Sequence, residues 1–426
     1  MSEQKIETKC LHAGFTADPA TGSCAVPVYR TSAYVFRDTE HAENLFALKE
    51  LGNIYSRLMN PTTDVLEKRV AALEGGAAAV ALASGTSAIF YSIINLAQAG
   101  DEIVAACTLY GGTYTQFNDI LPQLGIKVHF VDPSDPQNFA KAITPKTKAV
   151  YTEVIGNPTV NVTNIRAVAD IAHENGVPLI VDSTFTTPYL IRPIEHGADI
   201  VVHSLTKWLG GHGNGIGGIV VDSGKFDWTT GKHPLLSEPD PSYHDLCYAT
   251  DLGELNPIAY ALRLRLVPLR NLGACISPDN AWNFIQGIET LPLRMERHCE
   301  NALKVAKYLD TSDHVDWVSY PGLESHTDHE LAKSELENGF GAVVVFGIKG
   351  GREAGRNFIE KLQIFKHLAN VGDARSLAIH PASTTHSQLT EEQQAAGSIT
   401  PELVRLSIGI EHIDDLLADI EQALQA

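Results

Sequence analysis

Residues 199–218 read DIVVHSLTKWLGGHGNGIGG, and this stretch indicates the fold of the chain. The apolar run 200–202 is typical of a strand covered on both faces, and Ser204, Thr206 and Lys207 follow its carboxyl end. Ligands of open α/β sheets bind at that edge. A lysine partly desolvated there has a lowered amine pKa and can form a Schiff base with a carbonyl compound. For the isolated motif, a solvated lysine in a turn stays an open alternative.

Composition restricts the classes of protein to which the chain can belong. It has 426 residues, 44% hydrophobic and 19% charged, which predicts a globular protein of two or three domains. A formal charge of -19 disfavours nucleic acid and anionic lipid as partners. The six cysteines lack Cys-x-x-Cys spacing, which argues against a disulfide framework and a zinc site, and we expect no metal. Without an apolar signal segment or membrane span, we expect a cytoplasmic protein.

A regular pattern of strands and helices begins after residue 61. Thr62 or Thr63 is expected to cap a helix that ends at Gly75-Gly76. A buried strand over 77–83 then leads through Ser84-Gly85-Thr86 into an apolar helix over 87–99. Such a turn can bind phosphate through main-chain N–H groups and hydroxyls, or it can serve packing alone.

The same alternation continues along the next hundred residues. Strands are expected near 102–106, 127–131, 149–155, 177–181 and 200–202, with a helix capped by Asn164 among the connections. Repeated β-α units predict an α/β fold with a doubly wound, mainly parallel sheet. Its carboxyl edge should gather Ser84, Tyr110, Glu153, Asn157, Asp182 and the residues around Lys207, which suggests a ligand with several chemical groups.

Two features of this region allow more than one interpretation. Asp182 follows the apolar run 178–181, so its buried carboxylate needs a partner, either a pyridinium N–H or the main-chain donors of the next turn. The glycine-rich segment 213–218 suggests a dinucleotide site only weakly, because it precedes an apolar segment. A nucleotide-binding or regulatory α/β protein therefore stays an alternative.

The two ends of the chain differ from this central part. Residues 1–61 have short apolar pieces between turn formers and are predicted to form an arm that packs on another unit. Tyr55 and Arg57, two residues apart, could clamp an anion, although this pair taken alone favours a plain surface arginine. Residues 257–426 are predicted to form a second domain with a helix-backed sheet, in which Arg405 faces away from Val404 and Leu406.

Taken together, the motifs resemble the pyridoxal-phosphate (PLP) enzymes of cysteine and methionine metabolism, over nearly the whole chain. The matching segments are 84–86 (SGT), 109–113 (LYGGT), 157–158 (NP), 181–185 (VDSTF), 203–207 (HSLTK) and 404–411 (VRLSIGIE). The resemblance implies the aspartate-aminotransferase-like fold of PLP enzymes (fold type I). It also implies an N-terminal arm over 1–61, a PLP-binding domain over 62–256 and a smaller α/β domain over 257–426.

The resemblance also assigns roles to individual residues. Lys207 would form the Schiff base with PLP, Asp182 would pair with the pyridine nitrogen, and Tyr110 would stack on the ring. The residues expected to hold the phosphate are Ser84, Gly85, Thr86, Ser204 and Thr206, joined by Tyr55 and Arg57 from a neighbouring subunit of a homotetramer built from active dimers. Arg405 with Ser376 would bind the substrate carboxylate, and Asn157 would touch the hydroxyl side of the cofactor.

Within this family the chain is most similar to the O-acetylhomoserine sulfhydrylases. The similarity lies in 241–244 (PSYH), 277–282 (SPDNAW), 286–298 (QGIETLPLRMERH) and 380–386 (HPASTTH). It implies γ-replacement on O-acetylhomoserine by sulfide, giving homocysteine. Methionine γ-lyase and cystathionine γ-synthase activities are the alternatives, although Gly112 stands where the γ-lyases have a cysteine. Ser183 stands where the family has an asparagine, which could alter hydrogen bonding near the ring.

Overall fold

A seven-stranded sheet forms the centre of the computed structural model, which describes residues 4–384 and 400–425. Its strands are β1 (Ala78–Leu82), β2 (Glu102–Ala106), β3 (Lys127–Val131), β4 (Thr147–Glu153), β5 (Leu179–Asp182), β6 (Ile200–Ser204) and β7 (Gly218–Asp222). They lie in the order β1-β7-β6-β5-β4-β2-β3. Only β7 runs against its two neighbours, so the predicted mainly parallel α/β sheet is confirmed.

Helices connect the strands and continue to the end of the chain. They are α1 (Ile6–His12), α2 (Thr39–Phe46), α3 (Pro61–Glu74), α4 (Gly85–Ile94), α5 (Gly111–Thr115), α6 (Leu121–Gln123), α7 (Gln137–Ala142), α8 (Ile165–Glu174), α9 (Thr187–Leu190), α10 (Pro234–Ser237), α11 (Ala259–Leu264), α12 (Arg270–Leu272), α13 (Pro278–Glu289), α14 (Leu291–Asp310), α15 (His329–Glu335), α16 (Gly351–Lys361) and α17 (Ile413–Leu424). None of the helices in the described ranges is both long and apolar enough to cross a membrane.

The N-terminal residues of two helices can be compared with the predicted caps. Asn164 caps α8 as expected, because its side-chain oxygen accepts a hydrogen bond from the Ala167 amide at 3.0 Å. The cap expected at Thr62 or Thr63 was wrong. Asn60 caps α3 instead, since Pro61 has the φ required at the first helical position. The helix expected over 87–99 begins earlier, at Gly85, and ends at Ile94.

A second sheet lies in the last third of the chain. Its strands are β8 (Val315–Ser319), β9 (Val343–Ile348), β10 (Lys366–His367), β11 (Leu377–Ile379) and β12 (Leu403–Ser407). They lie in the order β10-β11-β12-β9-β8 and pair antiparallel except for β10 with β11. Helices α14 and α16 pack on this sheet, so a helix-backed sheet is present as expected. Thr385 and His386 of the 380–386 motif lie outside the described residues.

The N-terminal segment contacts the rest of the chain at both ends and in between, although parts of it are exposed. Helix α1 packs on α3 and buries Cys10 completely, and the Arg69 side chain donates to the Leu11 and Ala13 carbonyls. By contrast, Val35 is 98% exposed, and Tyr55 is exposed as well. The predicted boundaries at residues 61 and 256 stay predictions.

The strand ends bring the expected polar residues to one edge of the large sheet. β4 ends at Glu153, β5 at Asp182 and β6 at Ser204. Gly218, the first residue of β7, lies against the start of α4, where a β-carbon would be only 2.1 Å from the Ser84 carbonyl oxygen. A glycine is therefore required for β7 to lie between β1 and β6 at this point.

Candidate active site

A cavity of about 520 Å³ opens at the carboxyl edge of the large sheet. The predicted site residues that line it are Ser84, Gly85, Thr86, Tyr110, Asn157, Asp182, Ser204, Thr206, Lys207 and Arg405. They come from the ends of several strands, from the start of α4 and from the second sheet. The cavity is large enough for a small organic ligand and contains acidic, basic and hydroxyl groups.

One end of the cavity is formed by the start of α4 and the end of β6. The Ser84 hydroxyl accepts a hydrogen bond from the Ser87 amide at 3.0 Å and caps the helix. A β-carbon on Gly85 would lie 2.6 Å from that of Ser204, so the two segments approach closely because residue 85 is glycine. Thr86 and Thr206 also line the cavity, and the Thr206 hydroxyl accepts a hydrogen bond from the Gly217 amide at 3.1 Å. A helix N-terminus surrounded by hydroxyls suits a phosphate group.

The Lys207 amine lies in the cavity and donates a hydrogen bond to the Asn370 side-chain oxygen at 2.5 Å. Burial and, to a smaller extent, the positive charge of Arg405 together lower the pKa of Lys207 to about 8. A fraction of the amine is therefore neutral near neutral pH and can attack a carbonyl group. Sequence reasoning missed Asn370, which lies in the connection between β10 and β11 and follows no strand of the large sheet.

Asp182 lies buried at the end of β5. Its carboxylate accepts hydrogen bonds from the Thr184 amide at 2.9 Å and from the Tyr151 hydroxyl at 3.4 Å. Burial raises the pKa of Asp182, and the bonds from Thr184 act in the opposite direction. The turn donors considered in the sequence analysis are thus present, and the carboxylate also lines the cavity, where a protonated ring nitrogen could pair with it.

Glu153 and Tyr110 lie beside Asp182. Glu153 is opposite Asp182 in the register of β4 and β5, and it accepts a hydrogen bond from the Tyr110 amide at 2.7 Å. Burial and the neighbouring Asp182 raise the pKa of Glu153 well above its usual range. The Tyr110 ring is 47% exposed. A β-carbon on Gly112 would lie 2.5 Å from that ring, so a cysteine at 112 would displace it.

Arg405 reaches the cavity from β12 of the second sheet. It is 6% exposed and donates a hydrogen bond to the Asn157 side-chain oxygen at 2.9 Å. Burial lowers its pKa to about 10, so it stays charged at neutral pH. Within residues 4–384 and 400–425, no carboxylate forms an ion pair with Arg405. The guanidinium is therefore available for an anionic ligand.

Three predicted residues do not line this cavity. Ser376 is buried, and its hydroxyl donates to Glu411 at 2.9 Å and accepts from the Gly409 amide at 2.8 Å, so its contact with a substrate carboxylate stays a prediction. Tyr55 and Arg57 lie on the surface, and the Arg57 guanidinium carbon is 5.1 Å from the centre of the Tyr55 ring. Whether they reach a neighbouring subunit stays a prediction.

Two further features singled out in the sequence are Ser183 and the glycine-rich segment 213–218. Ser183 is buried and its hydroxyl bonds to that of Thr186 at 2.7 Å. It does not line the cavity, so its effect near the ring can only be indirect. The glycine-rich segment 213–218 leads into β7 rather than a helix. That placement differs from a dinucleotide-binding turn, in which a helix follows the glycines.

Comparison with known proteins identifies a family whose chemistry fits the side chains that line the cavity. Residues 7–425 match the family model described as Cys/Met metabolism PLP-dependent enzyme. The chain belongs to this family. It is 57% identical to the O-acetyl-L-homoserine sulfhydrylase of Leptospira meyeri, covering 99% of this chain and 97% of that protein. It is 53% identical to the homocysteine synthase of Schizosaccharomyces pombe, covering 100% and 99%.

A solved structure of the Cys/Met metabolism family is also closely similar. The crystal structure of a putative O-acetylhomoserine (thiol)-lyase from Campylobacter jejuni has a TM-score of 0.96 and 40% identity, covering 99% of this chain and 100% of that one. That protein contains N'-pyridoxyl-lysine-5'-monophosphate. The protein described here is accordingly a PLP-dependent enzyme, and the family resemblance and the cofactor predicted from the sequence are confirmed.

The pKa of Lys207 predicts how cofactor loading depends on pH. When PLP is added to the cofactor-free protein, the rate at which yellow colour forms should rise with pH and level off above about pH 8, because only the neutral amine attacks the aldehyde. Arg405→Met removes a positive charge that lowers this pKa, so the midpoint should move to higher pH. Stopped-flow absorbance recorded across a range of pH measures the pH dependence of the rate and the shift of its midpoint.

The matched control is Arg356→Met. This arginine pairs with Glu360 on the surface of α16, away from the cavity, and its loss should leave the midpoint unchanged. A midpoint that stays the same or falls in Arg405→Met would contradict the electrostatic coupling of the two cations.

Proposed function

We propose that this protein catalyses a γ-replacement in which O-acetylhomoserine and sulfide become homocysteine and acetate. The observation that carries the proposal is a single cavity containing the Lys207 amine, the Asp182 carboxylate and the Arg405 guanidinium. The amine would carry the cofactor, the carboxylate would pair with the ring nitrogen of the cofactor, and the guanidinium would bind the substrate carboxylate. The names of the relatives support the same substrate class.

The residues of the cavity fit PLP. Among the described residues, the hydrogen-bond donors to Asp182 are the uncharged Thr184 amide and Tyr151 hydroxyl, so a protonated ring nitrogen would supply a cationic partner to this buried carboxylate. At the other end, the start of α4 with Ser84 and Thr206 would hold the phosphate, and Asn157 would contact the hydroxyl side. PLP, when bound, supplies an electron sink for negative charge that develops on the substrate.

Lys207 is the residue proposed to move protons. With its pKa lowered to about 8, the amine can accept a proton from the α carbon of the substrate and return one at a neighbouring carbon. The Asn370 side-chain oxygen holds the amine inside the cavity by a hydrogen bond. The acetate group leaves from the γ carbon, and sulfide forms the new carbon–sulfur bond there.

Arg405 is proposed to orient the amino-acid substrate. Its guanidinium is buried and charged, and the Asn157 side-chain oxygen fixes it by a hydrogen bond of 2.9 Å. A substrate carboxylate would form the charge-assisted bonds for which no acidic partner is present among the described residues. The same contact would direct the reacting side chain towards Lys207 and Tyr110.

Tyr110 has two candidate roles, and both are compatible with its position. Its hydroxyl could exchange a proton with the leaving group, or its ring could only stack on the cofactor. We expect Tyr110→Phe to lower kcat by about 10²-fold or more, because a proton donor is lost while the ring remains. Steady-state kinetics alongside the visible spectrum test this. Unchanged kcat with a normal spectrum would leave stacking alone.

A γ-elimination enzyme and a cystathionine synthase are the rival activities on this scaffold. Gly112 counts against the γ-lyase alternative, because the γ-lyases have a cysteine at the matching position. The residue at position 112 does not distinguish sulfide from larger thiol nucleophiles, so product analysis decides between the three activities.

Product analysis with O-acetylhomoserine tests the proposal. We expect homocysteine to form only when sulfide is added, with one acetate released for each homocysteine, and we expect Lys207→Arg to abolish both products. Chromatography of the thiol and an enzymatic acetate assay are sufficient. Formation of 2-oxobutyrate without sulfide would replace the proposal by elimination, and cystathionine formed preferentially from cysteine would replace it by cystathionine synthesis.

We also propose a cytoplasmic homotetramer of active dimers in which Tyr55 and Arg57 complete the phosphate site of a neighbouring subunit. Their exposure, and the separation of this segment from the cavity of its own chain, support the proposal. The three-part division at residues 61 and 256 belongs to the same proposal. All six cysteines are free thiols, which is compatible with a reducing compartment.

Mixing two inactive variants tests the shared site. Lys207→Ala and Arg57→Ala are each expected to be strongly impaired. After joint dissociation and reassembly, about a quarter of the sites should contain neither change, because a mixed dimer combines both changes in one site and leaves the other intact. Activity should return accordingly. No gain on mixing, with mixed dimers verified by mass spectrometry, would rule out an arm that acts across subunits.

A further inference from the structure

Helix α14 carries three buried polar side chains on one face. Arg294, His298 and Asn301 follow one another at intervals of four and three residues, which places them on the same side of the helix. They are 5%, 0% and 1% exposed. Buried polar groups normally occupy helix faces only where they find hydrogen-bond partners, so their partners indicate what this face does.

Arg294 binds the turn that follows Lys207. Its guanidinium donates to the Trp208 carbonyl at 2.7 Å, to the Leu209 carbonyl at 3.2 Å and to the Gly287 carbonyl at 2.7 Å. None of the ion pairs found among the described residues includes Arg294. Its remaining partner is the Thr290 hydroxyl at 3.3 Å, and a buried cation with only uncharged partners among the described residues is costly to keep, so simple packing does not account for it.

The approach of Arg294 to this turn also needs a glycine. A β-carbon on Gly211 would lie within 3 Å of three guanidinium atoms, which means that the planar group lies directly against the backbone. Gly211 has a φ of +71°, and its amide donates to the Lys207 carbonyl at 2.7 Å. The turn that carries Lys207 is thus closed by its own hydrogen bond and held from outside by Arg294.

The other two side chains bind the segment that follows Arg405. The His298 ring donates through Nδ1 to the Ile408 carbonyl at 2.6 Å. Asn301 donates through Nδ2 to the Gly409 carbonyl at 3.1 Å and to the Glu411 carbonyl at 2.9 Å. One rigid helix therefore contacts both the segment that follows the lysine and the segment that follows the arginine.

We propose that Arg294, His298 and Asn301 are positioning residues through which helix α14 sets the distance and orientation of Lys207 relative to Arg405. The two functional side chains come from different sheets, so their separation is not determined by the pairing within either sheet. The helix supplies a common support, and small misplacement of reacting groups is costly in catalysis. The inference uses the proposed role of Arg405 as the carboxylate ligand.

The test compares two variants with a matched control on the same helix. Arg294→Lys removes the bonds to two adjacent carbonyls and should raise the dissociation constant of PLP about tenfold or more. Asn301→Leu should leave that constant within about twofold and raise the dissociation constant of L-homoserine about tenfold. Val305→Ala, fully buried on the same helix, should lower Tm but change neither constant.

Equilibrium dialysis of the cofactor and titration of the visible band with L-homoserine give the two constants, and differential scanning fluorimetry gives Tm. The proposal is overturned if the polar variants lose Tm as Val305→Ala does while both constants stay at the wild-type value. Should Arg294→Lys fail to fold, Asn301→Leu decides alone. Failure of the proposed function is distinct, since it appears as wild-type protein that makes no homocysteine from sulfide.

Discussion

The partly buried Lys207 amine and the buried Arg405 guanidinium share one cavity, and this is the constraint on which the rest of the structure depends. Each approaches the other closely enough that Arg405 lowers the pKa of Lys207. Removing an ammonium and a guanidinium from water is unfavourable unless polar groups replace the lost hydration. Amide oxygens do so here, with Asn370 accepting from Lys207 and Asn157 accepting from Arg405. Neutral partners leave both cations free for an anionic ligand.

The acidic groups of the cavity complement these cations without neutralising them. Asp182 and Glu153 lie side by side at the ends of adjacent parallel strands, and burial raises the pKa of both. The ionised form of a buried carboxyl group is stabilised when a protonated ring nitrogen lies close to it. The cavity is therefore organised for a ligand that is anionic at its ends and cationic at its ring, which describes PLP with an amino acid.

Close backbone contact holds the elements in this arrangement. Gly85 and Gly218 allow α4, β6 and β7 to meet at one end of the cavity, and Gly211 allows Arg294 to lie against the turn after Lys207. In each case a β-carbon would lie within 3 Å of another group. A substitution at any of these glycines would therefore alter the active site by moving backbone rather than by removing a functional group.

Sequence alone determined the local structure and much of the chemistry. The strands at 102–106 and 127–131, the Asn164 cap and the strand that contains Arg405 followed from periodicity and capping chemistry. Ten of the thirteen predicted site residues line the cavity. Most of them follow strands of the large sheet that run in the same direction, and such strand ends meet at one edge, so local pattern was sufficient for these residues.

Tertiary structure alone decided the contacts between distant segments. Asn370 and Arg294 reach Lys207 or its turn across more than 80 residues, and no local pattern predicts such partners. The matched motif likewise gives no information on the direction of the Ser376 hydroxyl, which bonds to Glu411. Periodicity reports which face of an element is buried, whereas the partner on that face depends on how separate elements pack.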